Sequence, residues 1–386
     1  MIILVDARMY GLENTGIGRY LIQLIEGLKS LSITSKTGKS NEYVILLKKK
    51  YYDTLAVPDN WKKVLVNIPH YTLREQLLLP SIIRKYQPNL VHFPHINVPI
   101  LYSGKYVLTV HDLTMQRRGI NASKLPLPLY FLKRIPFLLV AKIAVKNAVK
   151  IMVPSKTTAT DLANYYNLSI QKIIVTYEGY DFKDLLTSRL RGELSVISNY
   201  GLVNKDYFFY IGNAHPHKNL EIVVRAIKDI NETKKINAIF VIAGLKDFFI
   251  ERLENYINDI GASMYVKLVG YVKDEDLPIM YKNSLGFVYP SLSEGFGLQG
   301  LEAISMGTML ACSNIPVFKE IYDFHAFYFD PRNMESISGA LYSICNMSRV
   351  DKQKYTRNAQ KHIEKYSWKK MAEETLQVYK NVACSK

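Results

Sequence analysis

Residues 285–314 read "LGFVYPSLSEGFGLQGLEAISMGTMLACSN". The apolar run 285–291 has the length and composition of a buried strand, and Pro290-Ser291 closes it. Glu294, Gly295 and Gly297 then form a pliable loop, and a helical pattern begins near Gly297. A second apolar run, "TMLACSN" at 308–314, follows at once. Strand, glycine loop, helix and strand in that order make a βαβ unit, and such units build parallel sheets covered on both faces. Glu302 lies eight residues after Glu294, about one and a half turns inside the helix. Residues 295–298 would turn backbone N–H groups toward a phosphate or sugar oxygen. Carboxylates beside such a turn accept paired hydrogen bonds from vicinal hydroxyls, as the acid of a dinucleotide fold does with ribose. As purely structural groups, Glu294 would complement the helix dipole and Glu302 would be an exposed helical acid.

The same alternation extends in both directions. Upstream lie strand-like runs at 1–6, 43–49, 90–95, 106–112, 150–155 and 172–179, with helical patterns at 73–86 and 127–148 among them. Residues 182–204 are polar and read as a connection. A second alternating set begins at "YFFYIGN" (207–213) and continues through "NAIFVIAG" (237–244), "YVKLVGYV" (265–272), the opening stretch and "AFYFDP" (326–331). Helical segments then fill 333–346, 351–364 and 367–381. At 386 residues the chain exceeds what one hydrophobic core usually serves. It therefore reads as two successive doubly wound α/β domains. In open sheets of this kind ligands sit beyond the carboxyl ends of the strands, so the loops that follow strands carry the chemistry.

The formal charge of +16, from 50 Lys+Arg against 34 Asp+Glu, favours an anionic partner such as a nucleic acid, a membrane surface or a phosphorylated small molecule. A solvated lysine-rich surface accounts for the same surplus. "KKK" at 48–50 is the densest basic block, too short for a nucleic-acid arm. Cys312, Cys345 and Cys384 form no CxxC pair, which argues against a zinc site or a disulfide framework and for a reducing, cytoplasmic setting. The start "MIILVDARMYG" lacks the basic region of a signal peptide. The stretch "IPFLLVAKIAV" (135–145) is too short to span a bilayer and is interrupted by Lys142. Within 124–150, Lys142, Lys146 and Lys150 recur every four residues. That spacing predicts one basic helical stripe, able to rest on an anionic membrane or to be an ordinary solvated face.

Three further loops stand out. After the first strand, "TGIGRY" (15–20) carries Gly16 and Gly18, which permit a tight turn and close backbone approach. The third glycine of a dinucleotide fingerprint is missing. After "YVLTV", His111 can handle a proton or donate a hydrogen bond, with Asp112 as its partner or as a helix cap. After "YFFYIGN", the loop "AHPHKN" places His217 and Lys218 before a helix that Asn219 could cap, a cation beside free N–H groups.

Taken in order, these segments resemble the retaining glycosyltransferases of family four. The stretch "SEGFGLQGLE" matches that family's donor signature, Glu, seven residues, Glu, with GFG after the first acid. "TGIGRY", "TVHDL", "VPS" at 153–155, "YEGYD", "GNAHPHKN" and "GYVKDEDL" are its other landmarks, and the resemblance runs from Ile2 to about Tyr379. It implies a GT-B fold, two Rossmann-like doubly wound parallel-sheet domains facing across a cleft. Residues 1–184 would bind the acceptor and 200–365 the nucleotide sugar, with helix 366–386 packing back on the first domain.

The resemblance also implies roles. Glu302 would bind the ribose hydroxyls. Glu294, with the backbone of Gly295, Phe296, Gly297 and Leu298, would hold the sugar and the distal phosphate. Lys218 would neutralise the diphosphate, Asn213 and His217 would line the same loop, and Tyr271-Val272 would lie against the base. Gly16 and Gly18 would approach the phosphates or the acceptor, and His111 would contact the transferred sugar, making His111, Lys218 and Glu294 the catalytic set. The donor would be a nucleotide-diphosphate sugar of a mannose-type hexose, and the acceptor a glycan or lipid-linked saccharide. No metal, cofactor or nucleic acid is expected, and "DED" at 274–276 sits at a helix start rather than at a strand end. Many relatives carry Arg where this chain has His217, and histidine is not a permanent bidentate phosphate partner. A sugar-nucleotide epimerase on the same fold would need acids that act on sugar carbons. A nucleic-acid-binding protein would leave Glu294 and Glu302 without a role.

Overall fold

The computed structural model of the chain describes residues 1–34, 41–117, 126–180 and 192–384. The chain divides into two compact units, one of Met1–Gly179 with Ser367–Lys386, the other of Tyr180–Tyr366. In the first, strands β1 (Ile2–Asp6), β2 (Glu42–Leu47), β3 (Trp61–Leu65), β4 (Leu90–Phe93), β5 (Tyr106–Thr109), β6 (Lys150–Val153) and β7 (Ile173–Val175) form one sheet. Its order is β3-β2-β1-β4-β5-β6-β7. In the second, β8 (Asp206–Ile211), β9 (Ala238–Ala243), β10 (Val266–Gly270), β11 (Gly286–Tyr289), β12 (Leu310–Ser313) and β13 (Phe327–Phe329) are ordered β10-β9-β8-β11-β12-β13. Every pairing in both sheets is parallel.

Central strands show why their sequences are continuous apolar runs. All residues of β4, β5, β11 and β12 are buried, as a sheet with helices on both faces requires. Strand β3, "WKKVL", is missed by a search for apolar runs because it is an edge strand, with Trp61 and Val64 inward and Lys62 outward. The connection expected at 182–204 contains a helix, Glu193–Asn199. Asn283 donates to Glu193 (2.8 Å), so the helix is tied to the second unit. Residues 182–191 and the domain boundary expected at 184 lie outside the described residues.

Helix Trp368–Cys384 packs along helix Thr15–Thr34 in the first unit. A buried chain of hydrogen bonds pins it there: Tyr379 Oη meets His92 Nδ1 (2.6 Å), His92 Nε2 meets Thr109 Oγ1 (2.8 Å), and Tyr20 Oη meets the same Thr109 oxygen (3.1 Å). The expected helical stripe of Lys142, Lys146 and Lys150 is broken. Helix Leu127–Asn147 ends before Lys150, which begins β6, because Lys150 is needed as a strand residue opposite Val107.

A second buried network fixes the carboxyl end of β1. Arg8 donates to both oxygens of Asp6 (2.7 and 2.6 Å), to Glu75 Oε1 (2.6 Å) and to the Ile68 carbonyl (3.2 Å), and the three charged side chains are fully buried. Asn97 donates to the other Glu75 oxygen (2.5 Å). The loops after β1, β3 and β4 are thereby held by one ion triad. Removing one member would leave a bare buried charge, at a cost of about 3–5 kcal/mol.

Burial raises the Asp6 carboxyl, but the Arg8 guanidinium overrides it and holds it well below the usual carboxylate range. Glu75 is likewise held low, with burial opposed by His70 and Arg8. Burial, aided by His111 and His95 at His92 and by His70 and Arg8 at His95, lowers both histidines from 6.5 to about 3. All four groups bind fewer protons folded than unfolded, so their stabilisation is complete above the unfolded pKa and is lost as pH falls. Stability should therefore decline from about pH 6.5 for the histidines, and again below about pH 4 for the acids. Urea unfolding midpoints across that range check this; the histidines alone should account for more than ~1 kcal/mol, and a flat profile down to about pH 4 would refute it.

Candidate active site

Strand order locates the two places where a ligand can enter. In the first sheet the order reverses between β1 and β4, and in the second between β8 and β11. At such switch points the flanking loops diverge and leave a crevice beyond the carboxyl ends. "SEGFGLQGLE" follows β11, and "GNAHPHKN" follows β8.

In the second unit these two loops are tied together. Lys218 Nζ donates to Glu294 Oε1 at 2.5 Å, both side chains 13% exposed. Leu292 donates its backbone N–H to the His217 carbonyl (2.8 Å). Asn219 does not cap the following helix as expected. It adopts a left-handed conformation (φ 58°), and its amide donates to the Pro290 (3.2 Å) and Pro331 (2.8 Å) carbonyls. The side chain thus clips the loops after β8, β11 and β13 instead of bonding its own helix. Asn213 bridges within its loop, accepting from the His215 N–H (3.3 Å), while its carbonyl accepts from Tyr210 (2.8 Å). His215 and His217 rings stack at 6.0 Å.

Helix Leu298–Ser305 starts directly after Gly297, whose φ of 109° favours glycine. Tyr322 Oη donates to the Gly297 carbonyl, and a Cβ on Gly297 would fall 2.3 Å from that hydroxyl. The loop is therefore pressed against a buried tyrosine, with no room for a side chain at Gly297. Phe296 is buried against Tyr366 (5.6 Å), which leaves Gly295 and Leu298 to flank the turn. Glu302 is not an exposed helical acid. It is 4% exposed and accepts from Tyr281 Oη (3.2 Å). Tyr271 is exposed and Val272 buried just after β10, beyond β9 from the switch point.

In the first unit, Gly16 and Gly18 are not in a loop. Helix Thr15–Thr34 already includes both, because the turn Leu12–Asn14 brings the chain round earlier. Gly18 is needed for contact: a Cβ there would lie 1.8 Å from the Gly11 carbonyl oxygen, whereas one on Gly16 meets nothing within 4 Å. His111 Nδ1 faces Glu178 (3.2 Å) and Nε2 faces the Pro94 carbonyl (3.0 Å), with Tyr20 edge-on at 4.8 Å. Its carboxylate partner is Glu178, not Asp112, which accepts from the Thr114 N–H (2.6 Å). A cavity of about 90 Å³ beside His111 is lined by Tyr71, His95, Thr109, Asp112 and Phe137 among others. Glu178, Tyr71, His95 and Phe137 escaped the sequence reading. Only Glu178 left a trace, inside "YEGYD", and its partner lies 67 residues away.

Two family descriptions match the chain in succession, Glycosyltransferase Family 4 over residues 15–184 and Glycosyl transferases group 1 over residues 198–362. The chain belongs to the family-four, group 1 glycosyltransferases. This glycosyltransferase is 24% identical over 350 residues to an O-antigen chain mannosyltransferase, RfbU, of Salmonella typhimurium, covering 88% of this chain and 90% of the relative. It is 26% identical to O-antigen chain mannosyltransferase B of Escherichia coli over 60% of each chain. Among solved structures it resembles a sucrose-phosphate synthase from Thermosynechococcus elongatus (TM-score 0.78, 16% identity, 99% of both chains). It also resembles Anabaena HepE in complex with UDP and glucose (TM-score 0.76, 15% identity, 99% and 100% covered). Both likenesses concern the fold, and with the two parallel sheets they identify it as GT-B.

The glycines give a paired test. Gly18→Ala must displace the Gly11 backbone and should cost more than ~2 kcal/mol, while Gly16→Ala should change stability by less than ~1 kcal/mol. Equal melting temperatures for the two variants would contradict the packing described.

Proposed function

We propose that the glycosyltransferase moves a mannose-type hexose from a nucleotide-diphosphate sugar to a glycan or lipid-linked acceptor, with retention at the anomeric carbon. The Lys218–Glu294 pair at the β8/β11 switch point carries this reading, and the mannosyltransferase names of the relatives supply the sugar. A lysine already held in place by a carboxylate can turn to a diphosphate without first being ordered, and fixed charge where negative charge grows is the strongest catalytic device available.

In the proposed reaction the bond from C1 to the phosphate oxygen breaks, and the acceptor hydroxyl forms its bond to C1 on the same face. The hydroxyl proton passes to the departing phosphate oxygen, and the nucleoside diphosphate leaves with the bonding pair. Lys218 and the N–H groups from Gly295 to Leu298 stabilise that leaving group. Glu294 orients the sugar hydroxyls, Glu302 the ribose, and Tyr271-Val272 flank the base. His217 and Asn213 complete the phosphate loop. In the first unit His111, oriented by Glu178, contacts the transferred sugar. Within the first unit, the cavity beside His111 and the open space at Gly16, at the start of the neighbouring helix, are the proposed place for the acceptor.

Transfer should fall at least ~100-fold in Lys218→Ala and Glu294→Ala while both proteins retain cooperative melting. Near-full activity in both variants removes the site assignment. A screen of GDP-, UDP-, dTDP- and ADP-sugars, reading nucleoside diphosphate release and thermal stabilisation, is expected to single out a GDP-sugar. No response to any donor would overturn the function itself.

A further inference from the structure

The cavity of about 90 Å³ beside His111 is lined by a histidine whose outer nitrogen has nothing to bond. His95, just past the carboxyl end of β4, is 3% exposed. Its Nδ1 accepts the Asn97 backbone N–H (3.1 Å). A ring nitrogen that accepts carries no proton, so the proton of the neutral imidazole sits on Nε2. Burial keeps the ring neutral, with its pKa lowered to about 3. The Nε2 atom is buried and has no hydrogen-bond partner among the described residues. A donor left in that state costs free energy until a ligand atom or water meets it.

The rest of the wall defines which ligand atom fits. Asp112 lines the cavity and has spent one carboxylate oxygen, on the Thr114 N–H. Glu178 stands behind His111 at 3.2 Å, and no lysine or arginine is among the lining residues. Two carboxylates without a cation in the wall disfavour a phosphate or carboxylate guest. A hydroxyl fits both demands, because it can accept from an N–H and donate to a carboxylate. Ile17, Ile96, Tyr71 and Phe137 supply apolar and aromatic wall for the C–H groups that flank such a hydroxyl. Tyr71 is fixed there by its backbone, which is left-handed (φ 60°) and donates its N–H to Glu75 Oε2 (2.7 Å). The volume takes about three water-sized groups, the edge of a hexose and not the whole ring.

We propose that this cavity is a specificity subsite for an uncharged, hydroxyl-bearing edge of the acceptor sugar, with the His95 Nε2–H donating to one of its hydroxyl oxygens. The role in acceptor choice rests on the glycosyl transfer proposed above, but sugar binding at His95 can be read without any transfer.

Histidine-selective NMR of the full chain reads that binding, with His95 assigned by the signal lost in His95→Gln. The free protein should show the Nε2–H tautomer. At least one of methyl mannoside, glucoside, galactoside and N-acetylglucosaminide should shift the Nε2 signal, and methyl glucuronoside should not. In transfer assays His95→Asn keeps an acceptor for the Asn97 N–H but lacks the Nε2 donor. It should raise the acceptor KM at least ~10-fold and leave kcat within about 2-fold. His95→Gln, whose amide reaches the place of Nε2, should restore most of that loss. Deleting the engaged hydroxyl from the acceptor should cost the parent about 10-fold and His95→Asn nothing further. Donor KM and donor-induced thermal stabilisation should be the same in all three proteins. The proposal is overturned if no neutral sugar moves the His95 signal, if the glucuronoside moves it equally, or if His95→Asn leaves the acceptor KM unchanged. A rise in donor KM instead would place the hydroxyl on the transferred sugar and overturn it too. Failure of transfer from every donor, with a neutral sugar still moving the His95 signal, removes the glycosyl-transfer reading and supports the sugar subsite.

Discussion

Parallel pairing governs both halves of this molecule. A parallel strand cannot turn back directly, so strands are joined by crossovers, and the loops that begin those crossovers collect at the carboxyl edge of the sheet. In the second unit this gathers Asn213, His217, Lys218 and the Glu294–Leu298 turn at one switch point. In the first it gathers Asp6, Arg8, His95 and His111. The glycines, the left-handed Asn219 and the buried tyrosine beneath Gly297 all serve the same end. They bring several loops, each with its own chain direction, into a fixed arrangement.

The two carboxylate–cation clusters show how exposure separates architecture from chemistry. Arg8 is sealed with Asp6 and Glu75, and each partner is saturated by further hydrogen bonds. A ligand could reach that triad only by unfolding the loops around it. Lys218 and Glu294 are equally close but partly open to solvent, and the ammonium keeps donors to spare. Desolvation makes the triad costly to disturb, whereas the Lys218–Glu294 pair stays in reach of solvent.

Much of the fold was legible because parallel sheets write themselves as long apolar runs. The runs of β4, β5, β11 and β12 are buried along their whole length and were all visible. Edge strand β3 was not, since its lysines break the run. The acids of the loop after β11 could be placed because Glu294, Gly297 and Glu302 lie within one βαβ unit. His111 could be placed but its partner could not: nothing local says that Glu178 comes back to it across the sheet. The role of Asn219 was misread for a related reason. A side chain that could cap its own helix looks identical in sequence to one that clips two distant carbonyls. Helix starts are local, so Gly16 and Gly18 were misplaced for a different reason: a tight turn at Leu12–Asn14 starts the helix at Thr15, ahead of both glycines.

Because His92 holds Tyr379 of the last helix, the first unit is discontinuous along the chain, with the whole of the second unit inserted between its parts. During synthesis the inserted unit is complete in sequence and free to fold while the earlier-made sheet still waits for its closing helix. The unit begun first is therefore finished only after the whole of the second unit has been made.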